Sequence, residues 1–196
     1  MYSFGSFYDP DRIGFGPIAA YDEHLLRNGE GFDMHHHEGV TIVTRVLSGA
    51  LTHTDSAGNN VTISPGQVGI FNTGDGVDHS EIAAAPQTRF VQVWLSESSG
   101  EPAYETRTVA APAGEWAAAA ELERATLSIA TIGGEHPREI ALPTAEKRHL
   151  YVASGALLRS SLAEPLSAGD AFELTDAGEV TVAAQVPTEL LLWSFH

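Results

Sequence analysis

The chain repeats itself once. Val46-Leu47-Ser48-Gly49-Ala50-Leu51 returns as Val152-Ala153-Ser154-Gly155-Ala156-Leu157, and Ile63-Ser64-Pro65-Gly66-Gln67-Val68 returns as Leu166-Ser167-Ala168-Gly169-Asp170-Ala171. Each copy reads as strand, Ser-Gly turn, strand, Gly turn, strand. A repeat on the order of a hundred residues long means duplicated domains, because solenoid units run to roughly 20–50 residues. Short runs of β-branched and apolar residues fill both halves: 41–47, 50–54, 61–64, 68–72, 78–82 and 88–95, then 126–132, 149–153, 156–160, 171–174, 180–184 and 189–194. Turn formers separate them, as at Asp55-Ser56-Ala57-Gly58-Asn59-Asn60 and Thr73-Gly74-Asp75-Gly76. Many short strands at this spacing predict an all-β chain of sandwiches or barrels. The polar stretch 96–102 (SESSGEP) reads as a linker, which places one domain at 1–95, a linker at 96–105 and a second domain at 106–196. Residues 116–122 are ambiguous, since four alanines favour helix and the surroundings favour strand.

Histidine is concentrated in the first half. Five of the nine, His35, His36, His37, His53 and His79, lie in one 45-residue window. His35/His37 and His79/Glu81 are both spaced i, i+2, which puts each pair on one face of an extended strand. Two such pairs on facing strands bring three imidazoles and one carboxylate to one point. That donor set suits a divalent first-row metal such as Fe(II), Mn or Ni better than a structural zinc, and an octahedral ion would keep two open positions. Alternation turns His36 to the opposite face and Ser80 away from the metal. His53 is either a partner that orients a ligand imidazole or, the reading favoured here, a histidine packed beside a turn. Asp55, Ser56 and Gly58 read as turn chemistry, Gly74 and Gly76 as a tight turn before the metal strand, Glu38 as a rim charge, and Trp94, Trp116 and Trp193 as packing.

Composition excludes several classes. No cysteine is present, which rules out disulfides and thiolate ligands and fits a cytoplasmic setting. A net charge of −16 argues against direct nucleic-acid binding and against anionic membrane surfaces. No apolar run approaches the ~18 residues of a membrane span, and Met1-Tyr2-Ser3-Phe4 does not open a signal peptide.

The ordered motifs resemble the pirin family, bicupins of the cupin superfamily. His35-His36-His37-Glu38-Gly39, His53-Thr54-Asp55-Ser56-Ala57-Gly58, Pro65-Gly66-Gln67-Val68 and Gly76-Val77-Asp78-His79-Ser80-Glu81 stand in the family's order, and Phe90-Val91-Gln92-Val93-Trp94 resembles the strand that follows. The match runs from about Gly16 to Trp94 and continues more weakly through the second half. The sequence departs from the family in having His36 for Pro, Glu38 for Arg and Thr41 for Glu. None of these removes a matched ligand, but they alter charge and shape at the mouth of the site.

The resemblance implies two consecutive cupin-type β-barrels (double-stranded β-helices). It implies metal ligation by His35, His37, His79 and Glu81, with Fe(II) as the first choice and Mn, Ni, Cu or Zn as alternatives. It implies a dioxygenase acting on an aromatic hydroxyl compound of the flavonol (quercetin) type, with dioxygen as co-substrate and Glu81 as catalytic base. The alternative it leaves open is a non-enzymatic, metal-dependent redox-sensing or regulatory protein that binds a protein partner. Counting along the repeat maps His79 to Val182, Glu81 to Ala184, His35 to Ala141 and His37 to Pro143, so the second barrel is expected to be metal-free.

Overall fold

The computed structural model describes residues 14–96, 98–160 and 163–196. The reading of the first four residues lies outside them. Among the described residues every regular element is a strand, and no helix is long and apolar enough to cross a membrane. The chain divides into two units, the first ending at Thr108 and the second beginning at Val109.

The first unit holds β1 (Ile18–Leu26), β2 (Gly31–His37), β3 (Val40–Ser48), β4 (Leu51–Asp55), β5 (Asn60–Ile63), β6 (Gln67–Asn72), β7 (Val77–Ala83), β8 (Thr88–Ser96) and β9 (Ala103–Thr108). They form two antiparallel sheets, ordered β1-β8-β3-β6-β9 and β2-β7-β4-β5. β9 lies in the stretch read as linker and as the start of the second domain. It is instead an edge strand of the first unit, with Phe71 paired to Tyr104 and Ile70 to Glu105. Its polar residues mislead because an edge strand buries little: only Tyr104 and Arg107 are partly covered along its length.

The second unit holds β10 (Ala117–Glu121), β11 (Ala125–Ile132), β12 (Glu139–Ala141), β13 (Lys147–Ser154), β14 (Ala156–Leu157), β15 (Leu166–Ser167), β16 (Ala171–Thr175), β17 (Thr181–Ala183) and β18 (Thr188–Phe195). The main sheet is ordered β10-β11-β18-β13-β16, with the small pairs β12-β17 and β14-β15 beside it. The ambiguous alanine run is a strand: Ala117 pairs with Ile129 and Ala120 with Leu127, and Ala119 and Ala120 are fully buried. Ladder hydrogen bonds and burial outweigh the modest helix propensity of alanine.

The repeat is structural as well as sequential. Gly49 and Gly155 have φ of 74° and 79° and pass so close to Thr88 and Thr188 that a Cβ would stand 2.6 and 2.8 Å from the threonine Cα. Thr88 Oγ1 accepts from Ala50 N at 3.2 Å and donates to Ala50 O at 3.0 Å. Thr188 Oγ1 makes the same two bonds to Ala156, at 3.1 and 3.2 Å. Both copies also carry a bulge at the same place in β3 and β13, between Val46/Ser48 and Val152/Ser154.

The two interiors differ. In the second unit thirteen buried apolar residues form one continuous cluster, including Ile140, Leu150, Val182 and Leu192. Paired strands β12 and β17 set Ile140 opposite Val182 within that cluster. In the first unit, among the described residues, Val46, Leu51, Ile63 and Phe90 form one apolar cluster and Ile42, Phe71 and Val77 another. Buried polar residues lie in the same interior: Thr44, His53, Asp55, His79, Glu81 and Gln92. Burying so many polar groups is costly unless each finds a partner, so this polar set marks the functional region.

Candidate metal centre

The site sits on the inward face of the β2-β7-β4-β5 sheet. Antiparallel pairing places His35 opposite His79 on β2 and β7, and Asp55 opposite His79 on β4. One pair along, Phe32 and His53 flank Glu81. A bulge between Phe32 and His35 adds a residue to β2, so that both side chains take inward positions. Gly31 begins this strand where a Cβ would stand 2.0 Å from the Glu81 carbonyl oxygen, an approach only glycine permits.

His35, His37 and His79 converge, each offering a ring nitrogen, and these nitrogens lie within 4.8 Å of one another. Nε2 of His35 and Nε2 of His37 are 3.0 Å apart. Two imidazole nitrogens bound at right angles to one ion at about 2.1 Å would also stand about 3.0 Å apart. His35 Nδ1 donates to Asp33 O at 2.6 Å, which fixes the tautomer that leaves Nε2 as a lone pair. Neither ring nitrogen of buried His79 has a hydrogen-bond partner. Burial, reinforced by His35, His37 and His53, pushes its pKa down to about 3. Burial, with His35 and His36, also lowers His37. Neutral imidazoles with unspent lone pairs are what a metal requires, and the donor set fits a divalent transition ion.

Glu81 does not join all three histidines at that spacing. It groups with His79 and His53, again within 4.8 Å. Its Oε2 accepts from Gln92 Nε2 at 2.7 Å, and Gln92 Nε2 also reaches Thr44 Oγ1 at 3.2 Å. Trp94 Nε1 in turn donates to Gln92 Oε1 at 3.0 Å while its ring meets His37 edge-on at 4.5 Å. Burial raises the Glu81 pKa to about 7, against the pull of the Gln92 bond.

Of the remaining sequence candidates, His36, Ser80, Gly74, Gly76, Trp116 and Trp193 fall outside the cluster, while His53 and Trp94 belong to its surroundings. His36 is exposed and its Nδ1 donates to Asp78 Oδ1 at 3.0 Å, with Glu38 Oε2 3.9 Å from its Nε2. Ser80 alternates away from the buried pair His79 and Glu81. Gly74 and Gly76 have φ of 54° and 132°, as a tight turn before β7 requires. Trp193 is fully buried packing and Trp116 donates to Ala141 O at 2.8 Å, but Trp94 is part of the site wall. His53 is more than a packed histidine: it is 1% exposed and its Nε2 lies 3.0 Å from Asp55 Oδ2. Gln92 and Thr44 escape sequence reading because they reach the site from the opposite sheet, paired to each other across β3 and β8.

A cavity of about 460 Å³ opens onto the cluster. Phe32, His37 and Trp94 give it aromatic walls, Glu81 and Gln92 line it too, and Asp22 and Asp33 add carboxylates. No Lys or Arg stands among the described lining residues.

Comparison with known proteins agrees with this architecture. Residues 1–95 match the family model described as Pirin. A Mycobacterium tuberculosis protein named "Putative quercetin 2,3-dioxygenase" is 34% identical over 211 residues, covering 100% of this chain and 86% of the relative. The Escherichia coli K12 protein named "Quercetin 2,3-dioxygenase" is 33% identical over 110 residues, 54% of this chain and 48% of the relative. The solved structure of the E. coli pirin YhhW in complex with nickel(II) superposes with a TM-score of 0.86 at 24% identity, over 98% of this chain and 88% of that one. A quercetin 2,3-dioxygenase structure from Acinetobacter baumannii gives 0.74 at 21%, over 95% and 77%. The fold is that of a bicupin. The chain belongs to the pirin family.

Proposed function

We propose that the first unit holds one divalent transition metal through His35, His37, His79 and Glu81, and that the protein is a dioxygenase for an uncharged aromatic hydroxyl compound of flavonol type. The observation that carries this reading is the convergence of ring nitrogens of His35, His37 and His79 within 4.8 Å of one another, beside an aromatic-walled cavity that His35 and His37 line. Relatives named as quercetin dioxygenases and a nickel-bound pirin of the same fold support it. Fe(II) is our first choice of metal, with Mn, Ni, Cu and Zn as alternatives, and we assign no metal to the second unit. A redox-active ion bound there would supply Lewis acidity for the substrate hydroxyl and an electron path to dioxygen.

The chain's own residues do the rest. Trp94 and Phe32 stack or edge-pack an aromatic ring. Glu81 is the candidate base for the hydroxyl proton, and Gln92 holds its Oε2 at 2.7 Å. The apolar clusters on either side exclude water.

The test is oxygen uptake by protein loaded with iron, manganese or nickel against a panel of catechols and flavonols, with metal content measured. Uptake should fall ~10²–10⁴-fold per bound metal in Glu81→Gln. Unchanged rate per metal rejects the base role. No uptake by any loaded wild type rejects the enzyme reading in favour of metal-dependent regulation through a protein partner.

A further inference from the structure

Two buried imidazoles on neighbouring strands have ring nitrogens without partners: both nitrogens of His79, and Nδ1 of His53. Each residue is 1% exposed, so bulk solvent does not reach them. A metal accounts for one His79 nitrogen. A neutral imidazole then carries its proton on the other, and that N–H needs an acceptor.

His53 is built to be one. Asp55 accepts from Asn59 N at 2.9 Å on Oδ1, and from Asn59 Nδ2 at 2.8 Å on Oδ2, where His53 Nε2 also lies at 3.0 Å. Burial pushes the Asp55 carboxyl up, but the Asn59 and His53 bonds outweigh it and hold it below its ordinary range. An ionised carboxylate has no proton to give, so Nε2 of His53 is the N–H and Nδ1 is a bare lone pair. The ring is clamped: Tyr104 stacks on it at 4.0 Å and 11°, and Phe71 packs edge-on at 4.5 Å. Its centroid is 5.4 Å from that of His79, and a nitrogen of each lies within 4.8 Å of the other.

We infer that Asp55 and His53 form a positioning relay for His79. Asp55 fixes the tautomer of His53, His53 Nδ1 accepts the N–H of His79, and the other nitrogen of His79 is thereby aimed at the cavity shared with His35 and His37. That arrangement pairs two of the unpartnered nitrogens and leaves the third for the ion. The inference rests on the metal reading above. Carboxylate–histidine partners of a ligand imidazole typically change metal affinity 10–100-fold.

The experiment loads the full chain, labelled with ¹⁵N-histidine, with ¹¹³Cd(II), and measures cadmium affinity by chelator competition. One cadmium should bind per chain, with ¹¹³Cd–¹⁵N coupling at His35, His37 and His79 and none at His53. A slowly exchanging N–H should appear on the uncoupled nitrogen of His79. His53→Leu should weaken binding 10–100-fold and lose that N–H signal, and His53→Gln, whose amide oxygen can accept, should recover most of the affinity. Coupling at His53 Nδ1 would overturn the relay and make His53 a ligand. Normal cadmium binding in wild type with unchanged affinity in a folded His53→Leu would overturn the relay alone. A wild type that binds no cadmium would overturn the metal reading and the relay together.

Discussion

Gln92 Nε2 donates to Glu81 Oε2 at 2.7 Å, joining the two sheets of the first unit at the one carboxylate of the centre. Gln92 is itself held by Trp94 Nε1 at 3.0 Å, so the orientation of Glu81 is set by a chain that begins at the cavity wall. Gln92→Leu removes the hydrogen bond that counteracts burial in setting the Glu81 pKa. The Glu81 carboxyl of the metal-free variant should titrate above the wild-type value of about 7. Carbon-13 NMR of glutamate-labelled protein reads this directly, and an unchanged or lower value contradicts the assignment.

Stability of the metal-free protein should depend on pH through buried groups of opposing sign, Glu81 on one side and the histidines, His79 foremost, on the other. Burial raises Glu81 from 4.5 to about 7, so the native state keeps a proton the unfolded chain has lost. Its contribution is full below about pH 4.5 and is lost as pH rises through about 7, at ~1.4 kcal/mol per pH unit. Burial lowers His79 from 6.5 to about 3, so its contribution is present above about pH 6.5 and lost as pH falls through about 3. Between 4.5 and 6.5 the Glu81 slope opposes that of His79, while His149, which burial lowers to about 4, adds a slope of the same sign as His79. Glu81→Gln removes the first slope. Denaturant unfolding should then show stability climbing with pH more steeply than in wild type, by ~1.4 kcal/mol per unit in that window, with the variant more stable than wild type above pH 7. Parallel curves for the two proteins would contradict this.

The duplicated Gly–Thr contact makes a second stability prediction. Gly49→Ala and Gly155→Ala add a Cβ at positive φ and drive it into a threonine backbone. Gly66→Ala and Gly169→Ala add one at positive φ with nothing within 4 Å. The second pair should cost about 1–2 kcal/mol for the backbone alone. The first pair should cost roughly 1–3 kcal/mol more for the clash. Chemical denaturation of the four variants separates them, and equal costs would show that the close approach is unimportant.

Cavity charge should sort ligands. With Asp22 and Asp33 on the wall and no described Lys or Arg beside them, a catechol should bind the metal-loaded protein more tightly than its ring-carboxylated analogue. Each like-charge contact near 4 Å costs about 1 kcal/mol in water. Asp33→Asn and Asp22→Asn should each narrow the gap several-fold by calorimetry. A carboxylate that binds better in wild type contradicts the cavity assignment.

Much of this was legible in the sequence. The i, i+2 spacing of His35/His37 and His79/Glu81 was enough to place four side chains on one sheet face, because alternation is a local property of strands. The repeat forecast two units, and its glycines lie at matching turns. Other features depend on pairing between distant strands. Gln92 and Thr44 meet Glu81 only through the facing sheet. The β2 bulge, which brings Phe32 into the row with His35, has no local signal. The grouping of Glu81 with His53 as well as His79 follows from β4 lying beside β7, which no spacing rule reveals. β9 has no sequence signal because an edge strand needs no apolar alternation, and β10 is ambiguous in sequence because alanine is small enough for either structure.

The central claim is one metal held by His35, His37, His79 and Glu81, and metal content after dialysis of wild type, His35→Ala, His36→Ala and His79→Ala tests it most directly. The account predicts one equivalent per chain in wild type and in His36→Ala, whose imidazole is bonded to Asp78 on the exposed face. It predicts loss of the ion in His79→Ala and weakened retention in His35→Ala. An ion that survives His35→Ala and is stripped by His36→Ala, or a wild type that retains none, would contradict it.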